Sequence, residues 1–150
     1  MYEQVDPKLD LLIYRAGIIE TLLRDMAFSI SQTLEKPDDA SVHDLRRLCL
    51  RLRHAVRLFA GMLPPRQARK AQRRLRMLQD LLGKVRACDV ALATIQHPDI
   101  APGISKLETK KVAAALAAER KRGLRPLRAR LRKLQRSDAI GRWRARLLAA

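Results

Sequence analysis

Apolar residues recur along the chain three and four positions apart, as on one face of an α-helix, and no stretch alternates as a strand would. Clusters of Pro, Gly and Asp mark the turns between these stretches. We therefore expect an all-α fold, an antiparallel bundle of four long helices plus a short C-terminal helix, forming one domain over residues 1–150. The predicted helices are residues 8–35, 41–61, 66–96 and 105–135, followed by a short helix that Ser137 caps.

Local signals also predict how the helices begin. Asp6 is placed to cap the first helix, and Ser41 with Asp44 forms a capping arrangement for the second. Ser105 with Glu108 is a capping box for the fourth helix.

The first helix carries a second apolar edge, Leu11, Ile18 and Leu22, about 100° around from its main apolar line. A helix with two apolar edges either lies centrally in the bundle or contacts another chain. Its main line is Leu9, Leu12, Ala16, Ile19, Leu23, Met26, Ile30 and Leu34.

The fourth helix contains Pro126, which is expected to kink or interrupt it because proline removes one backbone hydrogen bond. Its predicted core positions are Val112, Leu116, Leu127, Leu131 and Leu134.

The second helix separates into two chemically opposite faces. Its apolar face includes Leu45, Cys49, Leu52 and Val56, and the third helix likewise keeps its charge opposite a leucine-rich stripe. The apolar faces predict burial in a core. The basic faces, repeated on neighbouring helices, predict binding to an anion. The basic positions are His43, Arg46, Arg47, Arg53, His54 and Arg57 on the second helix, and Arg66, Arg69, Arg73, Arg76 and Lys84 on the third.

Charge is distributed very unevenly along the sequence, whose formal net charge is +17. Residues 1–40 hold 4 basic and 8 acidic residues, a net of −4, whereas residues 41–150 hold 28 basic and 7 acidic, a net of +21. So large an excess of positive charge in residues 41–150 indicates a polyanionic partner, such as nucleic acid, an anionic membrane or a chain of phosphates.

Motifs for catalysis are missing from the sequence: it has no glycine-rich phosphate loop, no HExxH, no CxxC and no recognisable serine–histidine–acid frame. His43 and His54 stand about 16 Å apart along one helix and cannot share a metal ion. We therefore predict no catalytic residue, metal site or cofactor. A phosphoanhydride hydrolase would need Mg²⁺, for which Asp80 and Asp89 are the only plausible acids.

Asp89 falls on the apolar side of the third helix, three residues after Arg86. We expect a local ion pair between them; the alternative is that Asp89 fixes an arginine that also touches the ligand. Cys49 and Cys88 are expected to be reduced core residues in a cytosolic protein, since no signal peptide, membrane-spanning run or lipidation motif is present.

Arginine suits phosphate because its planar guanidinium offers a fork of donors and stays charged at any working pH. Single-stranded nucleic-acid binders usually present aromatic platforms, but Phe28 and Phe59 look buried here. Sequence-nonspecific binding to a nucleic-acid backbone stays open as the alternative, because it needs only spaced cations. An adaptor that carries a partner to polyanions also stays open.

Two segments together resemble one family. VHDLRRLCLRLRHAVRLF (residues 42–59) and LLGKVRACDVAL (residues 81–92) resemble the first half of the conserved histidine α-helical domain, CHAD. The sequence departs from the family pattern at Arg47, Leu50 and Ala87. The matching positions are His43, Arg46, Arg51, Leu52 and Arg53 in the first segment, and Leu82, Gly83, Arg86, Asp89 and Val90 in the second.

This resemblance implies a non-catalytic helical protein that binds inorganic polyphosphate and associates with polyphosphate granules in the cytoplasm. The family usually has two such halves, so finding one basic histidine helix implies a homodimer. No membrane partner is expected. The predicted polyphosphate-binding residues are His43, Arg46, Arg47, Arg51, Arg53, Arg57, Arg69, Arg73, Arg76, Lys84 and Arg86.

Overall fold

The structure is a computed structural model that describes residues 6–97, 99 and 103–149. No strand occurs among these residues, so the all-α prediction is confirmed. The elements are α1 (Pro7–Glu35), α2 (Asp39–Leu58), a 3₁₀ turn (Ala60–Met62), α3 (Pro65–Ile95), α4 (Lys106–Arg136) and α5 (Ala139–Leu147).

Short connections make α1, α2 and α3 antiparallel neighbours, with α2 between the other two. The long helix α4 packs mainly on α3, and α5 closes one end by touching α1, α3 and α4. All five helices send apolar side chains into one core, whose fully buried members include Ile19, Leu23, Met26, Leu45, Leu52, Leu75, Leu82, Leu127, Leu131 and Leu147.

The predicted apolar line of α1 is buried only in its later turns. Ile19 and Ile30 are in the core, but Leu9 is 53% exposed and Leu12 is also exposed, contrary to prediction. The cause is a mismatch of length: α1 is about 44 Å long and α2 about 30 Å, from 1.5 Å per residue. Since a short turn joins the end of α1 to the start of α2, the first turns of α1 extend past the end of α2.

The same effect occurs at the opposite end of the bundle. Leu127 and Leu131 of α4 are fully buried, whereas Val112, a predicted core residue, is 46% exposed. Arg120 of α4 meets Asp89 near the end of α3, and Val112 comes eight residues earlier in α4, so this part of α4 lies toward the end of α3 and past the start of α2. Pro126 does not interrupt α4, which runs continuously from Lys106 to Arg136.

The predicted caps are right at α1 and α4. The Asp6 carboxylate accepts from the Lys8 amide at 3.0 Å, and Ser105 and Glu108 form the reciprocal capping box. These two helices begin where a short polar side chain precedes an apolar helical pattern, which sequence inspection detects well.

The start and end of α2 differ from the prediction. Asp38, rather than Ser41, caps the helix, since its carboxylate accepts from the Ser41 amide at 2.8 Å. The Ser41 hydroxyl instead donates to the Lys36 carbonyl at 2.7 Å. The helix ends at Leu58 instead of Gly61, because the chain tightens into the 3₁₀ turn.

Ser137 was predicted to cap α5 and does not. Its hydroxyl donates to the Lys133 carbonyl at 2.8 Å, which closes the end of α4. Helix α5 starts after Asp138, which has the left-handed φ of 48° and makes no side-chain capping bond.

Candidate functional site

The outer face of α2 is basic, as its pattern predicted. Arg46, Arg47, Arg51, His54 and Arg57 are exposed on this helix. The opposite side of the same helix is completely buried, through Val42, Leu45, Cys49, Leu52 and Val56. Packing of the apolar side therefore fixes the direction in which the cations point.

Cations from α2 and α3 meet in one surface groove of about 440 Å³. Arg57 comes from α2, and Arg69 and Arg73 come from α3. The small side chains of Ala60 and Ala68 also line it, so they leave room between the arginines. Guanidinium groups from two separate helices therefore line one groove.

Arg53 lies half-buried on the line where α2 contacts α3. It donates to the side-chain amide oxygen of Gln79 and, at 3.5 Å, to that of Gln72, while Gln72 donates to the Arg53 carbonyl at 2.9 Å. These acceptors are neutral amides. Arg53 therefore ties two helices together and still contributes its full positive charge to the surface.

Helical geometry adds two further predicted residues to this surface. Arg46 precedes Arg53 by seven residues, and Arg76 follows Arg69 by seven, so each lies two turns away on the same helix face. Both are exposed. We name the set the α2–α3 basic surface; it comprises Arg46, Arg53, Arg57, Arg69, Arg73 and Arg76.

Arg47 and Arg51 face a different groove, of about 270 Å³, toward α1. Asp25 and Asp44 line this groove too, so its field is mixed. Phe28 also lines it and is 65% exposed, which contradicts the expectation that this ring is buried; Phe59 is buried as expected.

His43 is half-buried, and its Nδ1 is buried with no hydrogen-bond partner. A helix beginning at residue 41, as predicted, would put His43 in its first turn, where an anion is favoured. Because α2 starts at Asp39, His43 lies beyond that turn, and Asp38 and Asp39 occupy the helix start. Lys84 is exposed on α3.

The expected ion pair between Arg86 and Asp89 is wrong. Arg86 pairs with Asp39 at the start of α2. Asp89 accepts from Arg120 of α4, with Nε–Oδ1 at 2.5 Å and Nη2–Oδ2 at 3.4 Å. The two side chains leave α3 toward different neighbouring helices, so each finds a partner distant in sequence.

Arg120 was not identified from the sequence, although it holds three segments together. Besides Asp89, its Nη2 donates to the Pro37 carbonyl in the turn between α1 and α2 at 2.8 Å. Arg15, equally unforeseen, is buried on α1 and donates to the Met62 carbonyl. Asp89 on an apolar face was the one available signal, since a buried carboxylate requires a partner.

Positive charges crowd together around Lys70 of α3. The pKa of Lys70 lies below its usual value, chiefly because of the positive charge of Arg66, with desolvation and then Arg146, Arg74 and Arg73 adding to the effect. No carboxylate contributes to this balance. This part of the protein thus holds a surplus of positive charge.

Within residues 6–97, 99 and 103–149, no group of three or more His, Cys, Asp or Glu side chains could hold a metal ion. Asp89, one of the two acids considered for Mg²⁺, is engaged by Arg120. Cys49 and Cys88 are buried free thiols, and burial raises the pKa of Cys49 to about 12. No helix in the described part of the chain is long and apolar enough to cross a membrane.

Comparison with known proteins gives one match. The family model described as the CHAD domain matches residues 17–150, from inside α1 through α5. This range includes the whole α2–α3 basic surface. No curated protein and no solved structure matches the chain.

Proposed function

This chain belongs to the CHAD domain family, and from that premise we propose that it binds inorganic polyphosphate without cleaving it, through the α2–α3 basic surface. The observation that carries the proposal is the absence of carboxylate partners. None of the six arginines of this surface forms an ion pair with a described Asp or Glu, whereas Arg86, Arg120, Arg122 and Arg144 each do.

Unpaired arginines on two adjacent helices suit a ligand with a repeated negative charge. From Arg46 to Arg57 the surface extends about 16 Å along α2, with Arg53 between them. A single small anion would neutralise one end of this row only. A chain of linked phosphoryl groups can meet each guanidinium in turn through charge-assisted hydrogen bonds.

Nucleic-acid backbone binding is the second candidate, and one observation favours it. The exposed ring of Phe28 lies beside Arg47 and Arg51, an arrangement that could stack a base over a phosphate. Asp25 and Asp44 in the same groove repel phosphate, however. This is why the first proposal places the ligand on the α2–α3 basic surface instead.

A competition assay separates the two candidates. Long-chain polyphosphate and duplex DNA, matched for phosphate content, compete for the protein at a fixed salt concentration. We expect polyphosphate to displace DNA, and its binding to weaken steeply as salt rises, because counterions are released. Displacement of polyphosphate by DNA would reverse the assignment, and phosphate release from tripolyphosphate by the purified protein would contradict a non-catalytic role.

The proposal includes a homodimer formed through α1. Between α1 and α2 lies an apolar groove of about 960 Å³, lined by Ile18 and Leu22 of the second apolar edge. Leu58, 76% exposed, lines it as well, and Leu11 is exposed on the preceding turns of α1. A second copy would cover these apolar side chains. With polyphosphate bound, the dimer would reside at cytoplasmic polyphosphate granules.

Gly17 gives a clean test of this dimer. It lines the groove and is exposed, and a Cβ atom added there meets nothing within 4 Å, so an arginine side chain at this position would extend from open space into the groove. Gly17→Arg should convert the dimer to a monomer in light scattering. The control Gly17→Ala should stay dimeric and gain about 1 kcal/mol of helix stability. A wild-type monomer, with and without polyphosphate, would refute the dimer.

A further inference from the structure

A small pocket of about 150 Å³ lies where α3, α4 and α5 meet, away from the α2–α3 basic surface. Three helices each contribute cations to it, and Trp143 forms part of its wall. The cations that line it are Arg74 of α3, Arg130 and Lys133 of α4, and Arg142 of α5.

None of these four side chains forms an ion pair among the described residues, and no acid lines the pocket. The nearest carboxylate in the sequence, Asp138, is exposed and lies against Gly141, making no hydrogen bond from its side chain. Asp138 is one negative charge against these four positive charges, so the pocket keeps an excess of positive charge, and a bound anion would relieve the repulsion between the cations.

The start of α5 adds further donors at the same place. Ala139 lines the pocket and opens the helix, which has no side-chain cap. The first amide with a backbone acceptor there is that of Arg142, which donates to the Asp138 carbonyl at 3.1 Å. The preceding amides have no backbone acceptor, and the helix dipole favours an anion there; the Asp138 carboxylate against Gly141 already supplies one negative charge at this helix start.

Trp143 adds an unpaired donor at the same junction. The residue is only 4% exposed, and its Nε1 is buried without a hydrogen-bond partner. Buried donors in folded proteins are nearly always satisfied, so this unpaired indole N–H, on a residue that lines the pocket, is a further donor at the junction of α3, α4 and α5.

We propose that this pocket binds a phosphoryl group. Its groups are donors without acceptors: guanidinium forks, an ammonium and backbone amides, the set that phosphate oxygens require. The volume is well below the roughly 300–1,000 Å³ of sites for larger organic ligands, which argues against a nucleotide. The phosphoryl group comes either from free inorganic phosphate or from the end of an oligophosphate chain. This site does not depend on the proposed function of the α2–α3 basic surface.

Trp143 is the sole tryptophan of the chain, so its fluorescence reports on the surroundings of this one residue, which lines this pocket and a smaller neighbouring one beside Lys70 and Arg146. The experiment titrates the protein with inorganic phosphate and, separately, with tripolyphosphate, at constant ionic strength, and repeats both by calorimetry. A saturable response to at least one is expected. Saturation by inorganic phosphate at the lower concentration assigns the pocket to the free ion; saturation by tripolyphosphate at the lower concentration assigns it to a chain end.

Matched variants locate the effect. The double variant Arg130→Ala/Arg142→Ala should weaken binding at least tenfold, since each removes charge-assisted hydrogen bonds. Removing two exposed lysines from the start of α4, Lys110→Ala/Lys111→Ala, lowers the net charge by the same amount and should leave the fluorescence titration unchanged. Asp138→Asn should tighten binding severalfold, because it removes the nearby negative charge while asparagine tolerates the left-handed φ.

The proposal is overturned if neither ligand gives a saturable change in fluorescence or heat. It is also overturned if Arg130→Ala/Arg142→Ala binds as tightly as the wild type, or if Lys110→Ala/Lys111→Ala loses as much affinity as Arg130→Ala/Arg142→Ala. If Arg130→Ala/Arg142→Ala still binds long-chain polyphosphate, the proposed function of the α2–α3 basic surface is unaffected. The two proposals can therefore be refuted independently.

Discussion

Replacing Arg120 with methionine should destabilise the fold by about 3–5 kcal/mol, because the Asp89 carboxylate would stay buried without a partner. Asp89 is only 8% exposed, and Arg120 is its sole ion-pair partner among the described residues. The variant also loses the hydrogen bond to the Pro37 carbonyl, which ties α4 to the turn between α1 and α2. A domain of this size has about 5–15 kcal/mol of total stability, so the loss is a large share of it.

Urea denaturation followed by circular dichroism measures this change. The control is the double variant Asp89→Leu/Arg120→Met, which removes both charges and fills the space with apolar groups. We expect it to recover at least half of the lost stability, since a buried ion pair replaced by apolar side chains is often neutral. A single variant that loses less than about 1 kcal/mol, or a double variant no more stable than the single, would refute the reasoning.

The remaining predictions contrast buried with exposed groups. Leu131→Ala should cost about 2–5 kcal/mol in urea denaturation, but Val112→Ala less than about 1, because only Leu131 is in the core; equal losses would contradict the packing described. Glu20 pairs with Arg144, and both side chains are about half exposed. Glu20→Gln should therefore lower the free energy of unfolding by less than about 1 kcal/mol; a larger loss would show that the ion pair is more than a surface pair. Cys49 should react with a thiol reagent only after unfolding, since burial raises its pKa to about 12; rapid native-state labelling would contradict that.

Features encoded within one helix could be predicted from the sequence. The two faces of α2, the Asp6 cap and the Ser105–Glu108 capping box depend on residues a few positions apart, and the structure confirms each. The convergence of Arg57 with Arg69 and Arg73 also follows from local patterns, because each helix must bury its apolar side.

Features that depend on which helix lies opposite could not be predicted in this way. Arg120 is 31 positions from Asp89, and nothing in the sequence distinguishes it from the other arginines of α4. The exposed ends of α1 and α4 likewise follow from unequal helix lengths combined with the tight turn at Pro37. Ser41 failed as a cap because Asp38, one residue after that proline, offers an earlier acceptor.

The most direct test of the central claim is the affinity for long-chain polyphosphate of a triple variant, Arg57→Ala/Arg69→Ala/Arg73→Ala, measured by calorimetry. The control removes three exposed charges from the start of α4, Lys106→Ala/Lys110→Ala/Lys111→Ala, so both proteins have the same net charge. We predict that the arginine variant binds at least a hundredfold more weakly than the wild type and that the lysine variant loses only a few-fold. Equal losses in the two variants would contradict a defined site and indicate that net charge alone attracts the ligand.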